Sequence, residues 1–204
     1  MSDTHPPPEP GAALDSLLRN RRSVRDYSGA AISRGALCRI LASGQGVTSP
    51  DGNRAAPSAH ALHPLTLHVV ARRVRGLEPG LYAHQPASGQ LLRAGPAVPD
   101  GTLLRASLAD DTWLETAAAV IAIGADRQRA IRHFADQQPD GLRGLRYVDF
   151  EAGAVAQNMH LRTVSEGLGG VTVMGLDDQI LASGLALPDA METVALFCIG
   201  ALPA

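Results

Sequence analysis

The chain has 204 residues, of which 45% are hydrophobic and only 3% aromatic, and its formal net charge is -2. A chain of this length can form one domain that buries roughly 70% of its unfolded surface, with a core of Ala, Leu, Val and Ile. The near-neutral charge predicts no general affinity for nucleic acid or anionic membranes. All 18 basic residues are arginine, which excludes P-loop lysines, Schiff-base lysines and lysine general bases.

Residues 1–12 are predicted to form a disordered Pro-rich tail, and residues 13–204 a single domain. The segment from Met1 to Pro10 has no apolar core of a signal peptide, and no apolar run reaches the ~18 residues that a membrane span needs. Cys38 and Cys198 lie far apart in apolar surroundings, which predicts buried thiols in a reducing compartment. A cytoplasmic location is therefore expected.

The N-terminal half predicts two helices, a loop and a hairpin. Leucines at helical spacing indicate an amphipathic helix over Ala12–Asn20. Ser33 is a suitable N-cap for a second helix that ends near Gly44, and residues 46–58 form a polar loop. The predicted strands in this half are 65–71 and the hairpin strands 80–84 and 90–92.

The C-terminal half contains the strongest helical pattern, over Tyr147–Leu168. Apolar residues cover most of its circumference, so the helix should be buried in the domain or in a subunit interface. Weaker patterns predict helices over 126–136 and 177–183 and strands over 117–124, 171–174 and 194–199. Helices and strands alternate without regular βαβ units, which indicates an α+β class, and no second domain is predicted.

The segment Arg21-Arg22-Ser23-Val24-Arg25 places three guanidinium groups and a hydroxyl where a helix gives way to extended chain. Guanidinium groups suit phosphate oxygens because they are always charged and donate hydrogen bonds in pairs. The alternative is a solvated basic helix end, where cations favour the C-terminal dipole. Local chemistry alone leaves both interpretations open.

Other motifs give weaker signals. No G-x-G-x-x-G follows a strand, so the chain has no dinucleotide-binding fold of its own. Gly167-Leu168-Gly169-Gly170 follows a helix and is interpreted as its terminator. His60 and His63, with His68 and His84 nearby, lack a companion cysteine or acidic ligand at a familiar spacing, so no metal site is predicted. They are interpreted as loop histidines near a ligand pocket or as surface residues.

Polar side chains interrupt the long helix. Buried polar groups need partners, so some should cap neighbouring elements or meet a second subunit, while a catalytic role stays open. They are Asp149, Glu151, Gln157, Asn158, His160 and Arg162.

Four segments, in this order, resemble the nitroreductase family of FMN flavoproteins, and in particular its SagB/ThcOx branch of azoline dehydrogenases. They are Arg21–Tyr27, similar to the family's phosphate motif; Ala56–Pro64, similar to A-P-S-x-G-A-L-Y-P; Gly76–Tyr82, similar to G-L-E-P-G-x-Y; and Arg146–Gly153 with Ala156-Gln157-Asn158, similar to R-Y-x-x-x-E-A-G-x-x-A-Q-N. The glycines at 167–170 and the Met174-Gly175 step also resemble the strand that passes the flavin in this family. The resemblance runs from about residue 14 to the end of the chain.

The resemblance implies a homodimeric α+β fold with a mixed, mainly antiparallel sheet flanked by helices, and FMN at the subunit interface. Carried over residue by residue, it implies three sets of cofactor-binding residues: Arg21, Arg22, Ser23 and Arg25 for the phosphate, ribityl chain and pyrimidine edge; Pro57, Ser58 and Ala59 for the isoalloxazine of the other subunit; and Val173, Met174 and Gly175 near flavin N5 and O4.

The chain also departs from the branch. The branch usually has glycine in place of His60 and tyrosine in place of His63, so these two imidazoles become the candidate catalytic proton donors or acceptors. The alternative is that both only fill space. Azoline dehydrogenases carry a Lys-Tyr pair shortly before the R-Y of the long helix, whereas residues 137–143 contain neither. Azoline oxidation by that route is therefore not expected.

The expected function is that of an FMN-dependent oxidoreductase that moves hydride between the flavin and a small organic or peptide-derived substrate, in natural-product biosynthesis or peptide modification. One alternative is an NAD(P)H-dependent nitro or quinone reductase. Another is a catalytically silent flavin-binding partner subunit.

Overall fold

A computed structural model describes residues 11–185, 187–188 and 191–203. The predicted tail therefore lies outside the described residues except for Gly11 and Ala12, and Ala12 already belongs to the first helix. In the described part of the chain, no helix combines the length and apolar character needed to cross a membrane.

The elements follow one another in a mixed order. The helices are α1 (Ala12–Asn20), α2 (Arg34–Gln45), α3 (Thr102–Ala106), α4 (Arg127–His133), α5 (Arg143–Ser165) and α6 (Asp178–Leu185). The strands are β1 (Ile32–Ser33), β2 (Leu65–Ala71), β3 (Val74–Arg75), β4 (Gly80–His84), β5 (Leu91–Gly95), β6 (Ala119–Ala125), β7 (Leu168–Val173) and β8 (Glu192–Ala201).

A six-stranded sheet in the order β5-β4-β2-β6-β8-β7 organises the domain. Every neighbouring pair within it is antiparallel; His68 of β2 faces Ala122 of β6, and Gly170 of β7 faces Ile199 of β8. β1 and β3 form a separate short parallel pair. The prediction of an α+β fold with a mainly antiparallel sheet flanked by helices is confirmed.

Both faces of the sheet carry a hydrophobic core, because β6 is apolar and fully buried along its whole length. On one face, Ile121 and Ile123 pack in a cluster with residues of α2 and α5. On the other face, Val120 and Ala122 belong to a cluster with residues of α3 and α6. The domain thus has three layers, and α5 lies against one face of the sheet.

Most predicted elements occur where the sequence places them. Ala12–Asn20, Leu65–Ala71 and Gly80–His84 have the predicted bounds, and the Ser33 hydroxyl accepts the N–H of Ala36 as the predicted N-cap. The long helix is an exception, since it begins four residues earlier than predicted, at Arg143. Gly144 explains this extension: a Cβ there would lie 2.3 Å from the backbone of Ala130, so the first turn of α5 packs directly on α4.

Candidate cofactor and active site

The arginine segment lies along the outer edge of β7. Ser23 forms a parallel bridge with Gly170, and the N–H of Val24 donates to the Gly170 carbonyl at 3.0 Å. From the other side, the His160 imidazole of α5 contacts the Arg22 carbonyl through Nε2 at 3.0 Å. Hydrogen bonds from a strand and a helix therefore hold the backbone of the segment, and they do not use its arginine side chains.

The side chains of this segment offer unused charge. Within the described residues, Arg21, Arg22 and Arg25 form no salt bridge with a carboxylate. In the described part of the chain, Arg22 donates only to the carbonyls of Arg19 and Arg21, both at 2.8 Å. The Arg25 guanidinium lies over the Trp113 ring, 5.8 Å from its centroid, which is cation–π range. Three guanidinium groups free of carboxylates fit a dianionic phosphate.

Gly169 and Gly170 do not end the helix but belong to a strand, as the resemblance implies. Only Gly167, with φ +68°, ends α5 in the left-handed conformation that a terminator uses. Gly169 and Gly170 belong to β7, and a Cβ on Gly169 would lie 2.7 Å from Val24 Cγ1. The interpretation of the whole glycine run as a helix terminator is wrong, because Gly169 and Gly170 lie in a strand. Gly169 leaves room for Val24 of the arginine segment, and Gly170 leaves room for Phe197 and Thr163.

The end of β7 presents backbone groups to solvent. Val173 is buried in the sheet, whereas Met174 is 68% exposed and Gly175 is also exposed. The Gly175 carbonyl accepts the N–H of Leu108, but the N–H groups of Met174 and Gly175 have no protein acceptor among the described residues. These two amides can donate to a ligand. Val173 is a buried residue of β7.

Pro57, Ser58 and Ala59 line a cavity of about 530 Å³ together with residues of α5. The other lining residues are Arg146, Tyr147, Phe150 and Glu151. Phe150 is 74% exposed, which is unusual for a phenylalanine on a domain surface. The cavity wall is largely apolar, so it suits a flat, largely apolar ring system.

The buried carboxylate of Glu151 binds the backbone N–H of Ala59 in this segment. The Ala59 N–H donates to Glu151 Oε1 at 2.7 Å. Burial raises the pKa of the Glu151 carboxyl, and the Ala59 N–H, the Ser58 hydroxyl and the Arg54 guanidinium each act against that rise. The segment therefore offers the cavity apolar atoms rather than the Ala59 N–H donor.

His60 and His63, the two predicted catalytic histidines, have different surroundings. His60 is exposed, and its Nδ1 lies 3.2 Å from Nε2 of His133. His63 is half-buried, and its backbone N–H donates to Ser58 Oγ at 2.8 Å. Burial, followed by the charges of Arg54 and Arg129, lowers the pKa of the His63 imidazole. The structure thus pairs His60 with His133 rather than with His63.

The remaining histidines of the sheet do not join this group. His68 and His84 are buried in β2 and β4, and burial lowers the pKa of both imidazoles. In residues 11–185, 187–188 and 191–203, no three His, Cys, Asp or Glu side chains are grouped to hold a metal ion.

Several site residues were not singled out from the sequence. His133 contacts His60, Arg146 and Tyr147 line the cavity, and Trp113 underlies Arg25. Glu151 was noted as one of six polar residues and as the glutamate of the R-Y-x-x-x-E-A-G motif, without a role in the cavity. A stronger signal existed for it, since it lies between Val148 and Val155 at helical spacing and therefore in the buried stripe of α5.

Fold and site together define an α+β protein with an open cation cluster at a sheet edge and an apolar cavity beside a long helix. The chain belongs to the nitroreductase family, which matches residues 18–201. It is 36% identical over 160 residues to a protein of Methanocaldococcus jannaschii named as a nitroreductase, which covers 78% of this chain and 77% of that protein. The chain is accordingly an oxidoreductase of the nitroreductase class.

Solved structures share the fold at lower identity. A nitroreductase from Ralstonia eutropha aligns with a TM-score of 0.77 and 24% identity, over 98% of this chain and 88% of its own. A chain of the Escherichia coli microcin synthetase McbBCD complex, solved with truncated pro-MccB17, aligns with a TM-score of 0.72 and 18% identity over 92% and 73%. A Desulfovibrio desulfuricans nitroreductase solved with FMN aligns with a TM-score of 0.63 and 22% identity, over 95% of this chain and 87% of its own.

Proposed function

We propose that this protein is an FMN-dependent oxidoreductase of the SagB-like branch that acts on a small organic or peptide-derived substrate. The observation that carries the proposal is the open arginine cluster, which β7 and His160 hold in place through backbone bonds. The FMN complex of the Desulfovibrio relative and the microcin synthetase fold are consistent with it. A bound FMN would supply hydride transfer, which no side chain of this chain provides.

Three groups of residues would bind and orient the cofactor. Arg21, Arg22 and Arg25 would bind the phosphate and the polar edge of the cofactor, with Ser23 as an additional donor. The free N–H groups of Met174 and Gly175 would orient the ring edge. Pro57 and Ala59 would exclude water from the ring face, because their segment presents apolar atoms to the cavity.

His60 directly follows Ala59, which lines the cavity, and would hold or deliver a proton there. Its Nδ1 is engaged with His133, so proton exchange with a substrate falls to Nε2. His63 is less suited, because burial and two arginines disfavour its charged form. The absence of the Lys-Tyr pair is consistent with a reaction other than azoline oxidation by the namesakes' route.

We further propose that the cofactor site is shared between two copies of the chain, with Pro57–Ala59 of one subunit facing the flavin held by the arginines of the other. The exposed Phe150 beside the cavity supports a covered interface there. A mixed dimer tests the arrangement: one subunit carries Arg21→Ala/Arg25→Ala, and the other carries Ala59→Trp, which fills the cavity. One functional site per mixed dimer is expected, whereas sites confined to one subunit would give none.

The direct test is the purified protein itself. A yellow protein that releases FMN on denaturation is the expected result, and colourless protein that takes up no added FMN would contradict the proposal. Turnover with NAD(P)H and a nitro or quinone acceptor would favour the reductase function instead. Bound flavin without turnover in any assay would favour a silent partner subunit.

A further inference from the structure

The turn from Ser58 to His63 is held in a shape that the chain does not adopt on its own. His60, Ala61 and His63 all have left-handed backbone angles, with φ of 53°, 50° and 49°. Each such residue costs on the order of 1 kcal/mol or more and persists only where its surroundings fix it. Three strained residues in one short turn therefore require a restraint from outside the turn.

Glu151 provides the restraint from the side of α5. Its side chain is buried, with the residue only 5% exposed, and its Oε1 accepts the Ala59 N–H at 2.7 Å. The Ser58 hydroxyl accepts the N–H of His63 at 2.8 Å, which joins the first residue of the turn to its last. The Glu151 carboxylate thus connects the start of the turn to the long helix, and the bond between His63 and Ser58 closes the turn.

Arg54 is a charged neighbour of the Glu151 carboxylate. The guanidinium of Arg54 acts on the carboxylate, and it is itself bonded to the side-chain oxygen of Gln45 and, at 3.3 Å, to the Leu65 carbonyl. Because these bonds join Arg54 to α2 and β2, its guanidinium is held in place. Glu151 is therefore held in the cavity wall, where its ionised carboxylate would be a negative group.

We propose that Glu151 is a positioning residue that holds the Ser58–His63 turn in its strained form and, through its charge, disfavours electron uptake by the flavin beside that turn. The second half rests on the proposed function. A negative charge in a poorly solvated wall opposes further negative charge nearby more strongly than it would in water. Removing this charge without changing the shape should make bound flavin easier to reduce.

Two variants separate position from charge. Glu151→Gln keeps an oxygen acceptor for Ala59 but removes the charge, and Glu151→Met fills a similar volume without an acceptor. Asp149→Asn is the matched control, because Asp149 lies on the same helix but its side chain is 54% exposed and paired with Arg127. Circular dichroism and thermal unfolding establish that each variant is folded before comparison.

Amide hydrogen exchange in cofactor-free protein tests the positioning role. Protection of the Ala59 amide should fall at least tenfold in E151M, and it should stay near wild type in E151Q and D149N. Wild-type protection in E151M would overturn the positioning role, and so would full loss of protection in a folded E151Q. This readout needs no flavin, so it stands even if the protein proves to bind none.

The midpoint potential of bound FMN tests the charge. The potential should rise in E151Q relative to wild type and D149N, while the flavin dissociation constant changes no more than a few-fold. Equal potentials in E151Q and wild type would overturn this half of the proposal. A wild-type protein that takes up no FMN would instead contradict the proposed function, with the hydrogen-exchange result unaffected.

Discussion

The N–H of Val24 donates to the carbonyl of Gly170 at 3.0 Å, and this bond joins the arginine segment to the edge of β7. It explains why glycines stand at positions 169 and 170, since side chains there would collide with the segment or with the sheet. The cation cluster is therefore built by strand packing, and its geometry depends on residues that carry no charge.

Gly169→Ala should displace the arginine segment. The added methyl would lie 2.7 Å from Val24 Cγ1 and 2.9 Å from Leu202 Cδ2, so one of these neighbours must move. Overpacking of this kind costs roughly 1–3 kcal/mol, and we expect weaker FMN binding together with a lower Tm. The double variant Gly169→Ala/Val24→Ala should recover part of both losses, because it removes the nearest contact. Unchanged FMN affinity in Gly169→Ala would show that the packing does not position the cluster.

Arg21→Ala/Arg25→Ala should weaken FMN binding by about tenfold or more, because a charge-assisted hydrogen bond is worth roughly 1.5–3 kcal/mol. The chain has one tryptophan, and Arg25 lies over it, so quenching of Trp113 fluorescence on titration with FMN reports binding directly. Arg34→Ala serves as the control, since Arg34 is exposed at the start of α2. Full FMN occupancy in the double variant would refute the phosphate assignment.

Phe150→Asp should break a homodimer if α5 lies at the interface. Phe150 is 74% exposed beside the apolar cavity, and a buried interface would account for this exposure. Leu92→Asp is the matched control, because Leu92 is 50% exposed on β5, the edge strand at the opposite end of the sheet from β7. Sedimentation velocity at micromolar concentration should give a dimer for wild type and Leu92→Asp and a monomer for Phe150→Asp. A monomeric wild type would reject the interface.

The fold was largely predictable from the sequence, because periodicity depends on local spacing. β2 shows this well, since its alternating pattern gave both of its ends correctly. The first turn of α5 was missed because its apolar pattern is weak there, and its reason lies in the backbone of Ala130, 14 positions away in sequence. β1 and β3 have two residues each and are defined only by their pairing, so they carry no periodicity.

The site was predictable only in part, for a similar reason. The arginine segment was visible because its charges are contiguous, and among the described residues they have no carboxylate partner. The pairing of His60 with His133 joins residues 73 positions apart, and no local pattern relates them. The inward turn of the Ala59 N–H likewise depends on Glu151, 92 positions away.

His60→Ala should reduce turnover more than His63→Ala, once a substrate is found. A general acid or base typically contributes 10²–10⁴-fold in rate, and only His60 is exposed, with a partner that fixes its ring. His133→Ala should cause a smaller loss and shift the pH profile, because it acts through His60. The measurement is kcat at saturating FMN for all three variants. Losses of less than a few-fold in His60→Ala and His63→Ala would leave both histidines as space-filling residues.

His84→Leu should reduce the acid sensitivity of the fold. Burial, with a smaller contribution from Arg54, lowers the pKa of His84 to about 4, below the ordinary value of about 6.5. Between these two pH values the unfolded chain binds a proton that the folded chain does not, so stability falls as the pH drops from about 6.5 towards 4. At about 1.4 kcal/mol per pKa unit, His84 alone accounts for a loss on the order of 3 kcal/mol.

Urea unfolding of wild type and His84→Leu at pH 7.5 and pH 5, at one protein concentration, measures this effect. Both ring nitrogens of His84 are buried without a partner among the described residues, so leucine should be tolerated at pH 7.5 or should stabilise the fold. The difference in unfolding free energy between the two pH values should be smaller in the variant than in wild type. His68, His63 and His160 also have lowered pKa values and should leave some of the acid sensitivity in place. An equal pH dependence in both proteins would show that His84 takes up a proton within the fold, which requires an acceptor or water that reaches its ring.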